Sequence, residues 1–244
     1  MTLEEFLEKY GIGLSDELRR VCLDGISLMR NTRDPMHSET HIHEILSYLD
    51  DFLQNERSID PTVLDYSVLL PAICWHDAWK SGRSPTTNVV VLKFEQIWDG
   101  LGSRRCFRRY ARKTSLEREL VKKIATTIYL HAPLLQFLWK GQRSKKAHLH
   151  NPEARILRDL DRLEFWSLAR IDHFAANFLD GNGYLLNPSL LRVCRWGYDS
   201  FVARTGHFFY DWPRLVYQTR KEEFLRRFRE LLELNESVAA DRPS

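Results

Sequence analysis

The 244-residue chain carries 36 Lys and Arg against 33 Asp and Glu, a formal charge of +3, with 43% hydrophobic and 12% aromatic residues. Near-balanced charge and that apolar content exclude a predominantly disordered chain, and the length suits one large domain or two small ones. The longest stretch free of Asp, Glu, Lys and Arg, Ile124 to Trp139, is too short for a spanning helix of ~20 residues. The acidic opening Met1-Thr2-Leu3-Glu4-Glu5 lacks the basic-then-apolar order of a secretory signal, so a cytoplasmic protein without membrane association is expected.

Ser15 is a candidate cap for the first long helix, where Leu18, Val21, Cys22, Ile26 and Met29 repeat at helical spacing. A second helix is expected from Ser38. At about 100° per residue, its Ile42, Ile45, Leu46, Leu49, Phe52 and Leu53 share one face, bordered by His41. His37, one turn earlier, can reach the same cavity. His43 lies on the other side with Ser47 and Asp50 and is expected in solvent. Asp60-Pro61 marks another start, and Val63 to Trp75 is apolar almost all round, a helix buried on most sides that runs into His76-Asp77. A buried carboxylate must neutralise, pair or bind a cation. With Lys80 projecting between His76 and Asp77, both an Asp77–Lys80 ion pair and a metal held by His76 and Asp77 fit.

Further on, Val89-Val90-Val91 reads as a helix entry, and Arg104, Arg105, Arg108, Arg109, Arg112 and Lys113 as a solvated basic face. Thr114 to Glu117 has capping-box spacing. His131 closes a helix before Pro133, and the 141–151 loop holds Arg143, Lys145, Lys146, His148 and His150. Asn151-Pro152 opens a helix on which Asp159 and Asp161 are both bracketed by apolar residues, so helical geometry does not choose between them. Gly181-Asn182-Gly183, Asn187-Pro188 and Asp211-Trp212-Pro213 punctuate the rest. Cysteines 22, 74, 106 and 194 form no Cys-x-x-Cys pair and read as free thiols. The expected fold is all-α: a single globular helical bundle over 15–180, C-terminal helices over 181–235 packed on it, and a frayed tail over 236–244.

The order His41 … His76-Asp77 … Asp161, with Lys80 completing His-Asp-x-x-Lys and Asp161-Arg162-Leu163 completing an Asp-Arg-Leu signature, resembles the HD-domain superfamily of metal-dependent phosphohydrolases. The likeness covers roughly Ser15 to Phe178. It implies one divalent ion held by His41, His76, Asp77 and Asp161, and it selects Asp161 over Asp159 because the family ligand directly precedes Arg-Leu. Lys80 would approach substrate phosphate, and His131 matches a histidine that many relatives place beside the site. One departure stands out. Relatives commonly carry Arg-Val three residues after the first ligand histidine, where this chain has Glu44-Ile45.

Two imidazoles and two carboxylates suit Mn, Fe, Co, Ni or Zn, with Mg also possible, and leave room for water. A divalent ion acidifies such water and polarises a phosphoryl oxygen. The resemblance therefore implies phosphate ester hydrolysis on a small phosphorylated metabolite, a nucleotide foremost. Asp77 would orient the water, Lys80, Arg83 and Arg162 would offset phosphoryl charge, His37 would line the substrate cavity and His131 would protonate the leaving group. The alternative is a non-catalytic ligand-binding or regulatory protein of the same fold. A nuclease using the basic residues is a third reading, but no nucleic-acid motif accompanies them.

Overall fold

The computed structural model describes residues 1–32, 37–83, 89–132, 148, 150–172, 195 and 208–240, with side chains described outside 89–97 and 234–240. Among the described residues every regular element is helical: α1 (Leu3–Tyr10), α2 (Asp16–Arg30), α3 (Glu39–Asn55), α4 (Tyr66–Trp75), α5 (Val89–Ala111), α6 (Arg118–His131), α7 (Pro152–Phe165) and α8 (Asp211–Ala240). The all-α expectation holds, and no described helix is long and apolar enough to cross a membrane.

Local chemistry sets the starts. Ser15 accepts from the Leu18 amide at 3.3 Å, and Asn151 accepts from the Ala154 amide at 2.7 Å with Pro152 behind it, each satisfying an otherwise orphaned helix amide. Three starts differ from expectation. Asp60 caps only the short 3-10 turn Pro61–Val63, so α4 begins at Tyr66 and Val63 stays exposed. Thr114 to Glu117 forms no capping box, because the Thr114 hydroxyl donates to the Ala111 carbonyl (2.8 Å) and the Ser115 amide donates to Glu17 on α2 (2.7 Å). The amide of Trp212, at the start of α8, donates to the buried Glu56 carboxylate at 2.9 Å. Helix α8 runs through Ala240, into the segment expected as a tail, and 241–244 lie outside the described residues. Gly181 to Gly183, Asn187-Pro188, Cys194 and Arg143, Lys145 and Lys146 lie outside the described residues.

Helix α4 is the hub. Val68 to Trp75 are all buried, with α2, α3, α5, α6 and α7 packed around them. The Trp75 indole N–H donates to the Val21 carbonyl (2.8 Å). Gly25 permits that approach, since a Cβ there would lie 2.7 Å from the Cys74 carbonyl oxygen and from the indole nitrogen. Helix α1, which lies ahead of residue 15, adds Leu3, Phe6 and Leu7 to the same core. It also covers the face of α3 expected in solvent: Asp50 is buried, bonded by the Tyr10 hydroxyl (2.6 Å) and paired with Lys9 (2.6 Å). A second apolar cluster joins Leu163, Trp166 and Ile171 to Phe208, Tyr217, Phe224 and Leu231, docking α8 on α7. Cys22 and Cys74 are buried free thiols and Cys106 is half-buried.

Candidate metal centre

Three segments deliver the cluster. His41 projects from the first turn of α3, His76 and Asp77 follow the end of buried α4, and Asp161 lies near the end of α7. His41, His76 and Asp77 are 3% exposed or less, whereas the Asp161 side chain is 33% exposed and marks the open side. The His41 and His76 Nε2 atoms are 3.1 Å apart. Asp77 Oδ2 is 3.3 Å from His41 Nε2 and 3.4 Å from His76 Nε2, and Asp161 Oδ1 is 3.4 and 3.7 Å from the same two atoms. Donors at about 2.0–2.2 Å from one ion at tetrahedral angles have this spacing. Asp77 Oδ2, buried, accepts no well-aligned hydrogen bond, an unmet demand that a cation would satisfy. The four residues form one of the groups able to hold a metal.

The rings are oriented as ligands. His76 Nδ1–H donates to the Ile73 carbonyl (2.7 Å), which turns Nε2 toward the cluster. His41 Nδ1 faces Glu164 Oε2 at 3.1 Å without a well-aligned hydrogen bond, so the carboxylate acts on the ring through its charge. Without a cation the imidazoles take up the charge. Burial lowers His41, but Glu164, Asp161 and Asp77 outweigh it and hold the ring well above its ordinary value. Burial likewise opposes protonation of His76, yet Asp77 and Asp161 raise it to about 10. Burial raises both carboxylates. For Asp77 the charges of Lys80 and His76 more than reverse this, and for Asp161 the bonds to His41 and His76 do, so both end well below the usual range.

Asp77 also forms the ion pair. Its Oδ1 is 2.8 Å from Lys80 Nζ, which lies 2.9 Å from Asp99 Oδ2 on α5. Pairing and clustering with the histidines, alternatives in the sequence, coexist on opposite oxygens of one carboxylate. Asp99 is buried, and burial outweighs the Lys80 charge to push it up to about 7. His131 ends α6, donates Nδ1–H to the Ile128 carbonyl (2.5 Å) and places Nε2 4.0 Å from Asp99 Oδ2. Burial, then the charge of His76, lowers it to about 4, so the ring is neutral despite its place at a helix C-terminus. His37 lies at the rim, Nε2 3.9 Å from Asp77 Oδ2.

The Arg83 guanidinium packs 4.3 Å from the Trp79 ring, whose other surroundings include Gly102, where a Cβ would be 2.4 Å from the indole. Arg162 acts electrostatically on Asp159 and Arg158. Asp159 itself is separate from the metal cluster, its Oδ2 accepting the Phe209 and Tyr210 amides at 2.7 and 3.0 Å. His148 is a buried histidine bonded to the Leu130 carbonyl (2.8 Å), and His150 is exposed. Arg105, Arg108, Arg109, Arg112 and Lys113 are exposed, as a solvated face requires.

Sequence reasoning missed Glu164, Asp99 and Arg170. Glu164 is three residues after Asp161 and so shares its helix face, a signal that was present. Its Oε1 lies 3.4 Å from Arg170 Nη1. Glu44 shares a cluster with His41 and Glu164, their polar atoms within 4.8 Å of one another, and burial followed by Glu164 raises it to about 7; the acid at 44 therefore belongs to the support behind His41. No family model, curated protein or solved structure matches the chain.

Proposed function

We propose that this chain is a divalent-metal-dependent phosphohydrolase that cleaves a phosphate ester of a small phosphorylated metabolite such as a nucleotide. The supporting observation is the convergence of the His41 and His76 nitrogens with Asp77 and Asp161 oxygens, 3.1 to 3.7 Å apart. The HD-type motif order read from the sequence supports the same reaction. His41, His76, Asp77 and Asp161 would hold the ion, with Mn, Fe, Co, Ni or Zn matching this nitrogen and oxygen set. When bound, a divalent ion supplies an acidified water and a Lewis acid for a phosphoryl oxygen.

The chain's own residues do the rest. The Ile73 carbonyl holds the His76 tautomer, and the Glu164 carboxylate stands beside His41 Nδ1. With Oδ2 toward the ion, Asp77 would orient a water beside it while Lys80, on Oδ1, keeps the carboxylate from rotating. Lys80, only 19% exposed and fixed by Asp77 and Asp99, presents fixed positive charge beside the cluster, and such preorganised charge stabilises developing phosphoryl charge. His131 Nε2, with Nδ1–H committed to Ile128, is an acceptor in its resting form and would take the proton released by the attacking water and pass it to the leaving group.

The second reading, ligand binding without turnover, draws on Lys80 being shared by two carboxylates rather than directed at an anion. Mass-spectrometric metal analysis of purified protein, followed by a phosphorylated-metabolite screen with Mn, Co or Ni, separates them. Hydrolysis expects about one transition metal per chain and phosphate release. Stoichiometric metal without release from nucleotides or p-nitrophenyl phosphate supports ligand binding, and absence of metal uptake refutes the metal reading.

A further inference from the structure

Arg158 carries a charge that the fold leaves unmatched. On α7 it precedes the expected ligand Asp161 by three residues, so the two share one side of the helix about 5 Å apart along its axis. The residue is half-buried, and its Nη1 is enclosed without a hydrogen-bond acceptor among the described residues. The adjacent Asp159 does not supply one: its Oδ2 takes the Phe209 and Tyr210 amides, and its Oδ1 is itself buried without a donor. The guanidinium stands 5.7 Å from the centre of the Phe209 ring, with the Arg155 guanidinium 5.8 Å from the same ring. A ring face attracts a cation without offering the in-plane acceptors that five N–H groups require. The His148 ring, 5.0 Å from that of Phe209, bonds the Leu130 carbonyl directly before His131, so the patch adjoins the cluster from the α6 side as well.

Burial and then the like charge of Arg162 lower Arg158 to about 10, with Asp159 and Asp161 opposing, so at pH 7 the guanidinium keeps its charge. A cation held out of water beside another cation calls for an anion. Residues 133–147, which lead to His148, include Lys140, Arg143, Lys145 and Lys146 and no Asp or Glu, so that stretch of chain holds no carboxylate to serve as counter-ion. Arg155, Arg158 and Arg162 recur at i, i+3 and i+7 on α7, which makes the local excess of positive charge a multiple one. A phosphoryl group, with two negative charges and oxygens spaced for the guanidinium fork, answers that excess better than a single carboxylate does. One helical turn separates Arg158 from Asp161. A phosphoryl group on Arg158 is therefore distinct from one with an oxygen at the cluster, yet close enough for one small molecule to carry both.

We propose that Arg158 binds a second, non-scissile phosphoryl group, so that the substrate of this site carries at least two. The inference rests on the phosphohydrolase reading, and the experiment separates the two. Full-length protein is titrated calorimetrically with Mn2+ and then, Mn2+-loaded, with AMP, which has one phosphoryl group, and α,β-methylene-ADP, which has two, for wild type, Arg158→Met and Arg158→Lys. Wild type should bind α,β-methylene-ADP at least about tenfold more tightly than AMP. Arg158→Met should weaken α,β-methylene-ADP about ten- to hundredfold while AMP and Mn2+ change less than about threefold, the loss expected for one charge-assisted fork; Arg158→Lys should fall between. An unchanged constant for α,β-methylene-ADP in Arg158→Met overturns the proposal, as does a wild type that binds both nucleotides alike. An equal loss for AMP also overturns it, since Arg158 would then act on the phosphate at the cluster or on the fold. A wild type that takes up no Mn2+ removes the metal reading, and inorganic pyrophosphate titrated into metal-free protein then decides for Arg158: a tenfold loss in Arg158→Met keeps it as a phosphoryl-binding residue, and no change overturns that role. Should Arg158→Met not fold, a crystal structure of wild type with tungstate decides: tungstate hydrogen-bonded to the Arg158 guanidinium supports the proposal, and tungstate bound only elsewhere overturns it.

Discussion

Metal uptake should be strongly proton-coupled. Without a cation, His76 is raised to about 10 and His41 is also held well above its ordinary value, while Asp77 and Asp161 stay ionised. With the two Nε2 atoms 3.1 Å apart, one donates and the other accepts, so at least one proton sits on the cluster and must be lost before both nitrogens can donate a lone pair. For His76 the distance from about 10 to pH 7 is about three units, which weakens apparent affinity about a thousandfold, or ~4 kcal/mol. His41 adds to this in the same direction. The sign follows: a raised value means that protons compete more as pH falls, so affinity increases with pH below those values. Each competing proton gives a slope of about one decade in affinity per pH unit between pH 6 and 8. Calorimetric titration of Mn2+ in buffers of different ionisation enthalpy reads the number released, which should be about one or more at pH 7. A slope near zero, with heats independent of buffer, would falsify the account of two carboxylates holding protons on the imidazoles.

Single substitutions should separate residues that are neighbours in sequence. Asp161→Ala should abolish Mn2+ binding with little effect on folding, whereas Asp159→Ala leaves two buried amides without an acceptor and should cost about 1–3 kcal/mol in urea unfolding while Mn2+ binding survives. Since burial lifts Asp159 to about 7, above its unfolded value near 3.8, the stability this group gives is full below pH 4 and is lost as pH rises to about 7; Asp159→Asn should flatten that part of the stability profile. Glu164→Gln should weaken Mn2+ about 10- to 100-fold by calorimetric titration, as loss of a carboxylate behind a ligand histidine does, while His43→Ala, away from the cluster, should leave it within about twofold. Gly100→Ala would put a Cβ 2.2 Å from the Ala132 carbonyl oxygen and should destabilise the α5–α6 contact by about 1–3 kcal/mol, seen as a lower urea midpoint.

Periodicity made α2, α3 and the buried face of α4 legible, because each places apolar residues at helical spacing. Capping chemistry was less decisive. Thr2-Leu3-Glu4-Glu5 and Thr114-Ser115-Leu116-Glu117 have the same spacing. In the first, Thr2 Oγ1 accepts from Glu5 and Glu5 accepts from the Thr2 amide. In the second, Glu17 on a distant helix takes the Ser115 amide instead. Overlooking α1 also made Asp50 look solvated, since a one-helix projection contains no information about a helix that lies across it. Arg170 and Asp99 were illegible for the same reason: their partners are 133 residues away at His37 and 19 residues away at Lys80, and no local pattern marks either pairing.

Asp77 shows what a local reading lacks most. The sequence offers an ion pair with Lys80 or membership in a metal-binding set, as though a buried carboxylate had one demand to meet. A carboxylate has two oxygens facing in different directions, and α4 ends so that Oδ1 meets Lys80 while Oδ2 meets His41 and His76. Lys80 stands beside Asp77 and Arg170 beside Glu164, which leaves Asp161 and the second Asp77 oxygen facing two imidazoles. In a setting this buried, that surplus must be met by protons or by a cation. The raised histidines are the proton solution, and the donor spacing of 3.1 to 3.7 Å fits the cation solution. The exchange of one for the other is therefore the physical event on which the proposed chemistry depends.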